Sequence, residues 1–137
     1  MQLNVTDKVM QHDLDEIRLG LNAFNSRFIN IDTFKTIGVF VSDANGKKLA
    51  GLTGSTYGNW LRIEMLWVSD LLRGQGVGRQ LIQAAEEEAR QRGCLYAQVD
   101  TASFQARPFY EKLGYTLRFS LDHYPHHHQR HYLSKML

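Results

Sequence analysis

The sequence predicts a mixed α/β domain, with helices packed on a central sheet that is partly parallel. Three observations lead there. Apolar residues switch along the chain between helical spacing and the β-branched, alternating pattern of strands. Three strand-like segments in the middle are joined by tight turns, the signature of an antiparallel meander. A glycine cluster then opens the strongest helical segment, and a further strand follows it; a strand–helix–strand crossover of this kind sets strands parallel.

The elements follow in order. Residues 3–5 form a short candidate strand. Residues 13–28 read as a helix, because Leu14, Ile17, Leu21, Phe24 and Phe28 recur at spacings of three and four. Residues 37–42 are rich in β-branched side chains, and Asp43-Ala44-Asn45-Gly46 is a turn that pairs them with residues 48–57. Gly58 and Asn59 make the next turn, and residues 61–68 the third strand. The helix after the glycine cluster runs to about residue 92. Val77, Leu81, Ala85 and Ala89 face inward, and Glu86/Arg90 and Glu88/Arg92 make i,i+4 pairs on the outer face. Gly93 stops it. A strand over 95–100, a short helix over 105–113 ended by Gly114, and strands over 115–121 and 129–135 complete the chain.

Composition narrows the class. The chain has 137 residues, 43% of them hydrophobic and 22% charged. That suits one globular domain over residues 1–137 with its own core, and excludes disordered and collagen-like chains. Cys94 stands alone, so no internal disulfide or zinc ribbon is expected, and a reducing compartment is. The net charge is +2 with signs interspersed, which argues against binding driven by nucleic-acid phosphates. Residues 1–7 lack the basic start and apolar core of a secretory leader, and runs such as Val39-Phe40-Val41 are far too short to span a membrane. The expectation is a soluble cytoplasmic protein with no membrane partner.

The cluster Arg73-Gly74-Gln75-Gly76-Val77-Gly78 carries the most chemistry. Glycines between a strand and a helix let several N–H groups converge at the helix N-terminus, a spot that binds phosphate. The alternative is a turn that binds nothing. A Walker loop requires Lys-Ser/Thr after the last glycine, where Arg79-Gln80 stand. A dinucleotide fingerprint needs G-x-G-x-x-G, and here the last spacing is one residue short; Asp100, at the end of the next strand, could meet a ribose and keeps that idea open. The pattern Arg/Gln-x-x-Gly-x-Gly/Ala fits fully as Arg73-x-x-Gly76-x-Gly78.

With these residues the chain resembles the GCN5-related N-acetyltransferase (GNAT) family. Leu66-Trp67-Val68, then residues 72–78 with Leu81 and Ile82, look like the family's acetyl-CoA motif; Ala106-Arg107-Pro108-Phe109-Tyr110-Glu111-Lys112-Leu113-Gly114-Tyr115 looks like its second signature. The resemblance covers about residues 48–121 and implies a mostly antiparallel sheet flanked by helices, with two central strands splayed apart around a β-α-β cofactor-binding core. It implies that backbone N–H groups of Arg73, Gly74, Gln75, Gly76, Val77, Gly78 and Arg79 cradle the CoA pyrophosphate. Leu66, Trp67 and Val68 would flank the pantetheine arm, with Val68 pairing to it like a strand; Phe109 would also contact the cofactor, and Tyr110 would sit near the thioester sulfur. It implies Tyr110 as general acid to the departing thiolate, a role open to a neutral phenol. The family often has Asn three residues before the alanine of the second signature; Ser103 stands at this cofactor-binding position and is shorter, so its contact to the pantetheine arm would be lost or carried by a water.

An attacking amine must lose a proton, and Glu64 is the candidate base. Period two places it with Leu66 and Val68 on one strand face. The competing reading is a solvated or ion-paired carboxylate, as Tyr110 competes with a plain core aromatic. Phe24, Asn25, Phe28 and Trp60 are candidate walls of the acceptor pocket, or ordinary core and edge aromatics; Tyr124 and His123 could border it. Five of six histidines lie late, at 123, 126–128 and 131. They could bind zinc or nickel, but no cysteine or acidic pair completes a geometry, so a solvated loop is favoured and no metal is assigned. Cys94 reads as packing.

The expected function is transfer of acetyl from acetyl-CoA to a primary amine of a small molecule or protein, by direct attack in a ternary complex, in a chain that could pair as a homodimer. The alternatives are a non-catalytic acyl-CoA-binding sensor and an NAD(P)-binding protein.

Overall fold

The computed structural model describes residues 1–137 and divides into two compact units, Met1–Thr33 and Phe34–Leu137. The first holds helix α1 (Gln11–Asn25) and a single 3-10 turn, Ile31–Thr33. The strand expected at residues 3–5 is not formed; this unit contains no other strand for it to pair with. Helix α1 begins two residues before the expected start. The Asp13 carboxylate accepts the Met10 N–H at 3.2 Å and so caps the helix from within its first turn. It also ends earlier, at Asn25, where the Ser26 hydroxyl turns back to the Ala23 carbonyl at 2.9 Å.

The second unit is a six-stranded sheet with two helices. Its strands are β1 (Lys35–Ser42), β2 (Lys48–Tyr57), β3 (Trp60–Val68), β4 (Tyr96–Ala102), β5 (Thr116–Leu121) and β6 (Arg130–Met136), in the spatial order β1-β2-β3-β4-β6-β5. Only β3 and β4 pair in parallel; the other four pairings are antiparallel. The parallel pair is joined by α2 (Val77–Gln91), and α3 (Arg107–Lys112) connects β4 to β5. The mixed, mostly antiparallel sheet agrees with the fold class expected from the sequence.

The core lies between the sheet and α2. Leu52, Leu61, Ile63, Ile82 and Leu133 are fully buried, and Leu81, Ala85 and Ala89 present the apolar face of α2. Gly93 ends that helix in the left-handed region, at φ 91°, as expected of a glycine stop. Glu86 corrects the expected charge pattern. It sits four residues after Ile82 and three before Ala89, on the inward stripe, and is only 3% exposed. The Tyr115 hydroxyl donates to its carboxylate at 2.8 Å and the Lys135 ammonium lies 3.0 Å away. A buried carboxylate requires such partners. Arg90 turns instead to Glu87 at 3.4 Å, while the expected Glu88–Arg92 pair forms at 3.1 Å.

Candidate functional site

The glycine loop enters α2 through two left-handed residues, Gly74 at φ 76° and Gly76 at φ 75°. An L side chain there would strain the backbone. Asp70 and Arg73 form an ion pair at 2.8 Å across the turn before it, and Arg73 Nε donates to the Val68 carbonyl at 3.3 Å. The loop is thereby tied to the end of β3. The first helical hydrogen bond runs from Gln80 N–H to the Gly76 carbonyl at 3.1 Å. The N–H groups of Val77, Gly78 and Arg79 therefore have no helical acceptor and join the positive end of the helix dipole. That cradle fits an anion. Gly78 also lets α3 approach: a Cβ on it would stand 3.2 Å from the Phe109 ring.

Beyond the loop, β3 and β4 part company. Their pairing covers Trp60–Tyr96 through Ile63–Val99 and then ceases. The cause on the β3 side is a bulge. Gly54 of β2 pairs with Ile63 and Thr53 with Met65, so Glu64 is the extra residue. Gly54 makes the bulge possible, because a Cβ there would meet the Arg62 carbonyl oxygen at 2.1 Å. The bulge also corrects the period-two reading of this strand. Glu64 and Met65 are both exposed, whereas Leu66 and Val68 pack against the core, so Glu64 does not share their face.

A cavity of about 490 Å³ occupies the gap. Glu64, Leu66 and Trp67 line it from β3, Asp100 and Thr101 from β4, Gln105 and Tyr110 from α3 and its approach, and Arg130 from β6. Tyr110 is 6% exposed. Burial, aided by the negative charge of Asp100, pushes its phenol from 10.0 up to about 12, so it keeps its proton at neutral pH. Its ring contacts Phe109 and Tyr115, with centroids 5.1 and 6.0 Å away. Tyr115 is also driven upward, by burial and then by Glu86. The residues between β4 and α3 are held by Gln105, whose side-chain oxygen accepts the Ala102 N–H at 2.8 Å.

The structure thus brings Glu64, Leu66, Trp67 and Tyr110 to one cavity, with the glycine loop beside it through Val68 and Phe109. The other expected residues make these local contacts. Ser103 exchanges two hydrogen bonds with Gln129, N–H to carbonyl at 2.7 Å and Gln129 N–H to its hydroxyl at 3.0 Å, and so fastens the end of β4 to the start of β6. Trp60 stacks on Tyr96 at 5.0 Å at the other end of the parallel pair. Phe24 and Asn25 close α1 and Phe28 follows it, its ring 5.6 Å from Phe24. Tyr124 lies under the Arg130 guanidinium, 4.7 Å from ring to cation. His123 precedes it at φ 56°, and the His127 and His128 rings meet at a tilt of 37°, their centroids 4.1 Å apart. No group of three or more His, Cys, Asp or Glu side chains could hold a metal ion. Cys94 is buried, and burial raises its thiol. No helix is long and apolar enough to cross a membrane.

Sequence reasoning missed Arg130 and Gln105, and gave Asp100 only to a ribose. Arg130 and Asp100 meet through the β4–β6 register, which no local pattern encodes.

Comparison with known proteins adds a second line. The family model described as "Acetyltransferase (GNAT) family" matches residues 10–115. "Acetyltransferase Atu2258" of Agrobacterium fabrum is 38% identical over 73% of this chain and 73% of its own length. "Blasticidin-S acetyltransferase" of Streptomyces morookaense is 43% identical over 58% of this chain, and the matched region spans 60% of that relative's length. A crystal structure from Agrobacterium tumefaciens superposes over all of both chains, with a TM-score of 0.92 and 32% identity.

Proposed function

The chain belongs to the acetyltransferase (GNAT) family, and from that premise we propose that it transfers acetyl from acetyl-CoA to a primary amine. The observation that carries the proposal is the cavity between β3 and β4, where a carboxylate, Glu64, and a protonated phenol, Tyr110, line one space. Beside it, the N–H groups of Val77, Gly78 and Arg79 form a cradle suited to the pyrophosphate of CoA. Acetyl-CoA, when bound, supplies an activated acetyl thioester.

The chain's own residues handle the protons. Glu64, directly or through a water, takes the proton that the amine loses as its nitrogen bonds to the acetyl carbon. Tyr110 delivers a proton to the sulfur as the carbon–sulfur bond breaks. Its upward-shifted pKa keeps it protonated and ready to donate a hydrogen bond to the sulfur as charge builds there; because a thiol titrates at about 8.5, full transfer from this phenol runs uphill, so the burial that keeps the proton on also makes Tyr110 a weaker acid. Phe109 against Gly78 holds α3 in place beside the loop. Direct attack in a ternary complex needs no covalent enzyme intermediate.

Thermal unfolding with acetyl-CoA, CoA, NADP and ATP tests the donor. A ligand at about 100 times its Kd adds about 2.7 kcal/mol, a rise of several degrees. Stabilisation by acetyl-CoA and CoA alone is expected; a response to NADP without one to CoA overturns the reading. An amine panel that includes blasticidin S, after the name of the 43% identical relative, is then followed by release of free thiol. Binding of CoA with no thiol release from any amine would favour the non-catalytic sensor.

A further inference from the structure

The cavity contains one charged pair that the transfer step does not use. Asp100 is opposite Tyr132 in the β4–β6 register and Arg130 opposite Ala102, so the two sit diagonally on adjoining strands. The Arg130 guanidinium is ion-paired to Asp100 through Nη1 and Oδ2. Both groups line the cavity, and both remain about a quarter exposed, at 26% and 23%. Only one carboxylate oxygen is engaged, which leaves Oδ1 for a ligand. The Arg130 guanidinium also lies over the Tyr124 ring, 4.7 Å from its centroid, and its Nε–H is buried without a partner.

A pair that served only to fasten β4 to β6 would add little. Those strands already share a seven-residue antiparallel register, and a partly exposed ion pair is worth about 1 kcal/mol or less. Its position in the cavity has more consequence. Two carboxylates, Glu64 and Asp100, face this space against one guanidinium. An alkyl amine arrives protonated at neutral pH. An ammonium has no lone pair, so one proton must pass to solvent before the nitrogen attacks, and Glu64 takes the second as the new bond forms; until then the ammonium needs a carboxylate, and Asp100, ion-paired to Arg130 through one oxygen, offers the other.

We infer that Asp100 is a specificity-determining residue that receives the ammonium group of a cationic acceptor, and that Arg130 is the positioning residue that aims its carboxylate. This rests on the amine-acceptor reading above. It selects amines over neutral alcohols of the same shape, and over acceptors that present a carboxylate at this position.

Three small probes at pH 7 test it by backbone amide resonances: n-butylammonium, n-butanol and butyrate, each titrated into the full chain. Coenzyme A in a separate titration reports on the loop. Butylammonium is expected to move the signals of Asp100, Thr101 and Arg130, and butanol and butyrate are not. Asp100→Asn should weaken that response at least about tenfold. Arg130→Met should do the same and Arg130→Lys should restore most of it, a split that a purely structural role would not produce. Signals elsewhere report whether each variant keeps its fold. The inference is overturned if butanol matches butylammonium, if Asp100→Asn responds like the wild type, or if butyrate moves Arg130 most. Failure of coenzyme A to move the signals of residues 74–79 would instead break the acyl-transfer reading, whatever butylammonium does.

Discussion

The glycine loop and the cavity between β3 and β4 lie side by side, yet they are made of different materials. The loop offers backbone. Its anion cradle is three N–H groups freed by the start of α2, and the residues that shape it are glycines at φ 76° and 75°. The cavity offers side chains, brought by a bulge on β3, the end of β4, the approach to α3 and the start of β6. A backbone site needs particular residues at fixed local spacing, so it leaves a motif. A side-chain site needs strands to arrive in register from distant parts of the chain, so it leaves almost none.

The largest expected effect attacks the backbone site. Gly76→Asp forces a left-handed φ on a residue with a Cβ, which costs about 1–2 kcal/mol, and puts a carboxylate where an anion should sit. We expect CoA affinity by calorimetry to fall about a thousandfold, or about 4 kcal/mol, while the unliganded protein stays folded. A Kd within about threefold of wild type would mean that the loop does not hold the cofactor and that the contrast drawn above is false.

Tyr110→Phe probes the other side. It keeps the ring and its contacts with Phe109 and Tyr115 and removes only the hydroxyl. A general acid contributes about 100-fold or more, so kcat should fall about 100-fold with CoA affinity unchanged. A parallel loss of CoA binding would show that the loop and the cavity are one site energetically rather than two. Unchanged kcat across pH would remove Tyr110 from the reaction.

The same contrast explains what could be read from the sequence. The hairpin at Asp43-Ala44-Asn45-Gly46, the stop at Gly93 and the loop into α2 are local, and each formed as expected. The spacing of Glu86 from Arg90 suits a surface pair and points it outward; its actual partners, Tyr115 and Lys135, lie 29 and 49 residues away. Strict alternation puts Glu64 on the face of Leu66 and Val68, but alternation holds only while the ladder is regular. The bulge depends on Gly54 across the sheet, and a lone glycine in a strand signals a bulge or a close approach without saying whose. Asp100 meets Arg130 only through a register set by seven consecutive pairs between β4 and β6.

Gly54→Ala tests that account of the bulge. Its Cβ would stand 2.1 Å from the Arg62 carbonyl oxygen, against backbone that cannot swing aside. Either β2 shifts or the bulge is lost, and overpacking of this kind costs about 2 kcal/mol. Urea unfolding should show that loss, and turnover should fall further than stability alone explains, because Glu64 is displaced with the bulge. Wild-type stability would mean that the two strands have room the geometry denies.

The smallest effect concerns alkaline pH and isolates the buried phenol. Tyr110 titrates near 10.0 when unfolded and at about 12 in the fold. Below pH 10 both states keep the proton and its contribution is constant. As pH rises through 10 the unfolded chain gives up that proton first, so the folded state loses stability progressively until about pH 12. At pH 11 the loss is about 1 kcal/mol. Tyr115 shifts in the same direction, so the wild-type curve alone mixes two groups. The difference between wild type and Tyr110→Phe separates them: their stability gap, measured by urea unfolding at pH 9 and pH 11, should move by about 1 kcal/mol in favour of the variant. A constant gap would mean that the hydroxyl is solvated rather than enclosed, and that the site holds an ordinary phenol open to water rather than a donor sheltered by burial.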